Sequence, residues 1–227
     1  ISNVDLARQP MAARAGEIVM RGIEKDGPLP RDLVTIKSLE NAAAVVAATG
    51  GSTNAGLHLP AIAHEAGLRF TLDDVAEVFQ RTPLISNLRP GGLYHAKDVF
   101  AVGGVPVILK ELMEGGYLHG DCLTITGEKL SAEVADANSP DGKVVLRRDE
   151  ALSETGGLVV LKGNLCPDGA LLKVAGLKKL IHEGPALVFE NEEACMEIIY
   201  KKDYASGSVI VIRNEGPKGG PGMREML

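Results

Sequence analysis

The first part of the chain carries apolar residues at helical spacing. Between Asp5 and Lys25 they fall roughly on one face of a helix, and Gly27-Pro28 follows as a stop signal. The repeat of three to four residues continues well into the chain. It predicts four more helices, over residues 31–49, 54–66, 71–79 and 105–113.

Two local signals refine this helical region. Thr71 is followed by Asp73 and Asp74, and a hydroxyl cap with acids in the first turn favours a helix start there. Residues 83–104 lack a regular period and contain Pro90-Gly91-Gly92. Because long irregular stretches inside compact domains are often functional, we expect this one to be a functional loop.

The pattern changes after Ala135, across the turn-forming residues 138–142. Short runs of Val, Leu and Ile follow, with Pro167-Asp168-Gly169 as a hairpin turn and Asn191 as the cap of a helix to about Lys201. We therefore predict two domains, residues 1–140 and residues 141–227. The predicted strands are residues 144–146, 157–162, 170–175, 186–189 and 209–213.

Composition narrows the class of protein. Hydrophobic residues at 45% and charged residues at 24% are ordinary for a soluble globular chain, and no apolar run approaches the roughly 20 residues that a bilayer requires. A net charge of −6 argues against a nucleic-acid partner. The three cysteines lack a CxxC spacing, which predicts a reducing cytoplasm. Residue 1 is Ile, and we expect the chain to be a stretch of a longer protein.

Two segments are candidates for ligand contact. Gly50-Gly51-Ser52-Thr53-Asn54 precedes a predicted helix, where free N–H groups can hold a carboxylate, although the same residues also serve as ordinary helix caps. The run from Asn214 to Glu225 is glycine-rich, so its backbone can approach a ligand and its final carboxylate can reach a hard cation. A surface loop is the alternative there, and the run lacks the ending of a P-loop.

Other polar residues give weaker indications. The five histidines show no paired metal-ligand spacing, so a metal site built from them is not expected, and only His95 merits a test for substrate contact. The cysteines are predicted to be buried apolar residues rather than ligands. Lys110 and Glu111 are predicted to lie on a solvated helix face.

Five motifs together resemble the dihydroxy-acid dehydratase and sugar-acid dehydratase family, over essentially the whole chain. They stand in the family's order, which makes chance similarity an insufficient explanation. The motifs are Gly50-Gly51-Ser52-Thr53-Asn54, Leu57-His58-Leu59 with His64-Glu65-Ala66-Gly67, Gly120-Asp121-Cys122-Leu123-Thr124-Ile125-Thr126-Gly127, Lys162-Gly163-Asn164-Leu165, and the stretch from Glu215 to Leu227.

The resemblance implies a hydro-lyase that converts a 2,3-dihydroxy acid into a 2-keto acid through an enol. It also implies an iron–sulfur cluster that assists departure of the 3-hydroxyl, a Mg²⁺ ion that holds the carboxylate and 2-hydroxyl, and a homodimer. The implied fold is α/β, with an α/β/α sandwich portion followed by an incomplete β-rich domain that resembles a swivelling β-barrel.

Residue by residue, Glu225 matches the family's magnesium-ligating glutamate, and Ser52, Thr53 and Asn54 are expected near the substrate. The family's cluster cysteines and other magnesium ligands belong to motifs expected before Ile1, and its base serine to a motif expected after Leu227. No catalytic residue is therefore assigned within the chain. The favoured substrate is the branched dihydroxy acid of valine and isoleucine synthesis; the alternatives are a sugar acid, or an inactive binding protein on the same fold.

Overall fold

The structure is a computed structural model that describes residues 5–216. The chain forms two compact units, which divide between Leu177 and Lys178. Among the described helices, none has the length and apolar character needed to cross a bilayer.

The first unit is mainly helical and the second is a small α/β unit. In the first unit, a 3-10 turn at Arg148–Glu150 precedes strands β1 (Leu158–Leu161) and β2 (Ala170–Lys173). The second unit contains β3 (Ala186–Phe189), α9 (Glu192–Lys201) and β4 (Val209–Ile212). The helices of the first unit are α1 (Arg8–Glu24), α2 (Pro30–Leu33), α3 (Ile36–Thr49), α4 (Ala55–Glu65), α5 (Leu72–Arg81), α6 (Ala96–Ala101), α7 (Val105–Glu114) and α8 (Leu130–Glu133).

Helix α3 is the centre of the first unit, where it contacts α4, α5 and α7. Four of its buried residues are alanines, at positions 43, 44, 47 and 48, and none of them retains exposed surface. Small side chains let neighbouring helices approach closely, and α5 and α7 contribute larger buried residues to this core. These are Val75, Val78, Phe79, Val107, Ile108 and Leu112.

Capping decides where the central helices begin. The Thr71 hydroxyl accepts a hydrogen bond from the Asp74 N–H, and the Asp74 carboxylate accepts from the Thr71 N–H at 2.6 Å, as the predicted cap requires. Bonds from Thr71 hold the pKa of Asp74 below its usual value. The helix predicted over 31–49 is instead two helices, because Thr35 adopts an extended backbone and forms a capping box with Ser38.

The segment 83–104, predicted to be irregular, is a folded connection that includes a short helix. Leu88 forms a bridge with Tyr94, and the Asn87 side chain accepts a hydrogen bond from the Leu93 N–H at 3.0 Å. The Arg89–Pro90 peptide bond is cis, and α6 follows from residue 96. The functional role expected for this loop stays a prediction.

Residues 144–146, predicted to be a strand, do not form a β-ladder. They form one isolated bridge, between Ser86 and Val145. The reason is local. The Asp141 carboxylate accepts hydrogen bonds from the N–H groups of Val144 and Val145, at 3.0 and 2.9 Å. These N–H groups therefore cannot donate to a neighbouring strand. Burial raises the pKa of Asp141, but these backbone bonds outweigh it and lower the pKa.

The predicted hairpin of the first unit is confirmed. Strands β1 and β2 are antiparallel, with Leu158 opposite Lys173 and Leu161 opposite Ala170. Gly169, at the end of the connection, has φ of +113°, a conformation that favours glycine. The hairpin packs on α5, where Leu158 is buried.

The second unit is a β-α-β arrangement. Strands β3 and β4 are parallel, with Ala186 opposite Val209, and α9 connects them. Asn191 caps α9 by accepting from the Ala194 N–H at 2.9 Å, and the helix ends at Lys201, as predicted. The described residues therefore form a mixed α/β structure, with two two-stranded sheets and no closed barrel among them.

Candidate functional site

The segment Gly50-Gly51-Ser52-Thr53-Asn54 is the junction between α3 and α4. Gly50 ends α3 in the left-handed conformation, with φ of +57°, and its N–H bonds the Ala47 carbonyl at 3.2 Å. Ser52 is exposed, while Thr53 and Asn54 are half-buried. Three polar side chains thus follow a rigid turn at the surface of the first unit.

The start of α4 satisfies its own backbone. The N–H groups of Ala55 and Gly56 bond the carbonyls of Ser52 and Thr53, at 3.2 and 3.0 Å, and the Ser52 hydroxyl accepts from the Asn54 N–H. Asn54 makes no side-chain capping bond to the helix. A ligand here would therefore meet hydroxyl and amide side chains rather than an open row of N–H groups, and contact with Ser52, Thr53 and Asn54 stays a prediction.

Close backbone packing holds this junction in place. A methyl group added to Gly157 would lie 2.8 Å from the Gly50 Cα and 2.9 Å from the Ala175 Cβ. Gly91 and Gly176 meet in the same way, since a Cβ on Gly176 would lie 2.6 Å from the Gly91 Cα. Chain segments far apart in the sequence therefore touch through their glycines, and the contact of Gly157 with Gly50 restricts the position of residue 50.

We expect Gly157→Ala to destabilise the protein and displace the junction at residue 50. Overpacking of this kind costs about 1–3 kcal/mol, because the neighbouring atom is backbone and cannot rotate away. Chemical denaturation of the intact protein measures the loss. Gly163→Ala is the matched control, because a Cβ at Gly163 meets no atom within 4 Å. Equal stability of the two variants would contradict the packing argument.

A second candidate region lies at the carboxyl ends of β3 and β4. The Glu190 carboxylate accepts hydrogen bonds from Arg213 Nη1 at 2.8 Å and Asn214 Nδ2 at 3.1 Å. The Glu215 carboxylate accepts from the Glu192 N–H at 2.9 Å, at the start of α9. This edge of a parallel pair is where α/β folds commonly bind ligands.

Glu190 and Arg213 were not predicted from the sequence as candidates. A strand, a capped helix and another strand in succession are the pattern of a parallel pair, and that pattern spans residues 186–212. It would have placed residue 190 beside residue 213. The glycine-rich run that follows Asn214 was singled out, but Glu225 and the rest of its end lie outside the described residues.

The described residues offer no ready metal site. Nowhere in residues 5–216 do three side chains of His, Cys, Asp or Glu come together as a metal ion would need. Cys195 is buried as predicted, whereas Cys166 is exposed and Cys122 half-buried, so the prediction of burial is wrong for Cys166. Burial, and then the Asp121 charge, raise the pKa of the Cys122 thiol, which opposes thiolate formation. This part of the chain does not fit an iron–sulfur cluster.

The structure also shows where His95 and Glu111 lie. His95 is exposed at the start of α6, where its backbone N–H bonds the Asp98 carboxylate at 2.7 Å. The prediction of a solvated Glu111 is wrong. Its side chain is 6% exposed and accepts hydrogen bonds from the Arg148 N–H and Nη1, at 2.8 and 3.0 Å, because Arg148 lies against that face of α7.

Comparison with known proteins decides the family. The model described as dihydroxy-acid/6-phosphogluconate dehydratase N-terminal matches residues 1–133, and the corresponding C-terminal model matches residues 143–227. The chain belongs to the dihydroxy-acid/6-phosphogluconate dehydratase family. This confirms the resemblance carried by the five motifs. The two family models meet between residues 133 and 143, whereas the compact units divide at residue 177, so the predicted domain boundary at 140 stays a prediction.

Curated relatives carry the same family name. "Dihydroxy-acid dehydratase 2" of Bordetella bronchiseptica is 64% identical over 97% of this chain and 39% of that protein. "Dihydroxy-acid dehydratase 3" of Bradyrhizobium diazoefficiens is 60% identical over 100% of this chain and 39% of that protein. The enzyme of Tropheryma whipplei is 48% identical over 99% of the chain and 40% of that protein. The chain therefore spans about two fifths of the length of these dehydratase-family relatives.

Proposed function

We propose that this chain is part of a hydro-lyase that dehydrates a 2,3-dihydroxy carboxylic acid to a 2-keto acid, in branched-chain amino acid synthesis. The observation that carries the proposal is the 64% identity, along nearly the whole chain, with a protein named as a dihydroxy-acid dehydratase. An alternative substrate is a sugar acid, which the family's description also covers. The relatives are longer than this chain, so the activity is proposed for a protein of which this chain is one part.

The proposed active site draws only partly on this chain. We assign Glu225 as one ligand of a Mg²⁺ ion, because it matches the family's magnesium-ligating glutamate and a carboxylate oxygen suits that hard cation. When bound, the ion would neutralise charge on the substrate's carboxylate. The iron–sulfur cluster and the base serine are assigned to segments other than residues 1–227.

Ser52, Thr53 and Asn54 are proposed to lie beside the bound acid. Hydroxyl and amide groups can bond the hydroxyls of a dihydroxy acid without adding charge. The glycine contacts at residue 50 support this role, since they hold the polar triplet on a turn with little freedom. We also propose a cytoplasmic homodimer, with an α/β/α sandwich portion over residues 1–140 and part of a barrel-like domain over residues 141–227.

A keto-acid assay of the intact, anaerobically purified protein tests the proposed function. We expect turnover of dihydroxyisovalerate, with slower or no turnover of aldonates and 6-phosphogluconate. Faster turnover of a sugar acid would show that the substrate is a sugar acid instead. Failure to dehydrate any of these acids, with cluster and Mg²⁺ both present, would contradict the enzyme and favour a binding protein.

A further inference from the structure

A cleft of about 490 Å³ lies between α2 and α4, at the surface of the first unit. This volume is within the range of clefts that hold small molecules, roughly 300–1,000 Å³. Ser52, Thr53 and Asn54, which are proposed to contact the dihydroxy acid, do not line it. The cleft is therefore separate from the proposed substrate contacts.

The apolar wall of the cleft is aliphatic. Helix α4 turns Leu59 and Ala63 into the core, so Ile62, on another face of the helix, remains 45% exposed and lines the cleft. Val34 and Ala61 extend this wall. Among the described residues, no phenylalanine, tyrosine or tryptophan lines the cleft. The wall therefore suits a compact aliphatic group, which gains by leaving water.

Two opposite charges border the aliphatic wall. Arg31 of α2 and Glu65 of α4 both line the cleft, and neither forms an ion pair with any residue that the structure describes. Asp32, the acid next to Arg31, accepts a hydrogen bond from the Leu29 N–H at 2.8 Å. His58 lines the same cleft and adds a further hydrogen-bonding group. The cleft thus presents one cation and one anion beside an apolar surface.

We propose that this cleft binds a free α-amino acid with a branched aliphatic side chain. Arg31 holds the α-carboxylate, whose two oxygens match the fork of the guanidinium group. Glu65 accepts hydrogen bonds from the α-ammonium group, and Ile62 covers the aliphatic side chain. A zwitterion gives each charge of the cleft a partner, whereas a simple acid or a simple amine leaves one of them without a partner.

NMR titration of the intact protein with L-valine, isovalerate and isobutylamine tests the choice of ligand. These three molecules carry the same kind of branched aliphatic group, but isovalerate lacks the ammonium group and isobutylamine lacks the carboxylate. We expect saturable binding of valine, and binding at least about tenfold weaker for the other two, because each loses a charge-assisted hydrogen bond. Isovalerate or isobutylamine binding as tightly as valine would contradict the proposal.

The variants Arg31→Gln and Glu65→Gln each remove one charge from the cleft. Both side chains are exposed, so the fold is retained, and we expect each variant to bind valine about tenfold or more weakly than wild type. Arg14→Gln and Glu77→Gln are the matched controls, because both residues are exposed and neither lines the cleft. Their valine affinity is expected within about twofold of wild type, since solvent and salt screen distant surface charges.

Equal valine affinity in the cleft variants and the control variants would overturn the assignment, and so would a wild-type protein that binds no valine. Displacement of valine by dihydroxyisovalerate would show that the amino acid occupies the substrate site, and this result would overturn it too. Because the readout is binding rather than turnover, a failure of the proposed dehydratase activity is distinguishable from a failure of this proposal.

Discussion

Glu225→Gln is expected to abolish turnover of the intact enzyme while leaving its Tm unchanged. Glutamine keeps the shape of the side chain but removes the negative charge, and Mg²⁺ binds charged oxygen ligands far better than an amide. Loss of several kcal/mol of transition-state stabilisation lowers kcat by about 1000-fold or more. Steady-state assays in magnesium buffer, with circular dichroism to check folding, measure both quantities.

Glu197→Gln is the control for this substitution. Glu197 is an exposed carboxylate on α9, paired with Lys201 at 2.5 Å, so its loss removes the same charge from the second unit without touching the proposed site. We expect its kcat to match the wild type. Unchanged activity in Glu225→Gln at ordinary magnesium concentrations would show that Glu225 is not a magnesium ligand.

Glu111→Ala is expected to lower the free energy of unfolding by about 1–3 kcal/mol, the cost of leaving a backbone donor without its acceptor. The substitution leaves the Arg148 N–H without its acceptor inside the protein, and it removes the partner of the guanidinium. Because Arg148 is 40% exposed, water can still solvate its charge, which limits the effect to the lower end of the usual range. Urea denaturation of the intact protein gives the value.

A nearby exposed pair provides the comparison for Glu111. Asp149 accepts from Arg147 Nε at 3.2 Å, and both side chains are more than 60% exposed. Asp149→Ala is therefore expected to change the unfolding free energy by about 0.5 kcal/mol or less. If Glu111→Ala cost no more than Asp149→Ala, the buried pair would have no structural role.

Local signals in the sequence predicted much of the fold. Thr71 and Asn191 begin helices because their side chains can bond backbone N–H groups a few residues later, and such contacts are encoded within one turn. The hairpin around Gly169 can be predicted from the local sequence for the same reason. The family resemblance came from longer motifs, and both family models bear it out.

Other parts of the fold could not be read in the same way. The N–H groups of Val144 and Val145 bond the Asp141 side chain and so do not form a β-ladder, although valine favours strands. The burial of Glu111 depends on what α7 packs against, and the pairing of β3 with β4 depends on the crossover. Much of the candidate site remains predicted, because Glu225 lies outside the described residues and Ser52, Thr53 and Asn54 await a bound acid.

The parallel pair of β3 and β4 also affects how the isolated chain would behave in solution. Within residues 178–216 each strand is hydrogen-bonded on one side only, and Val188 and Ile210 are exposed. Open strand edges with apolar side chains recruit strands from other molecules. Residues 178–216 are therefore the part of the chain where self-association should begin, and light scattering should show it increase with protein concentration.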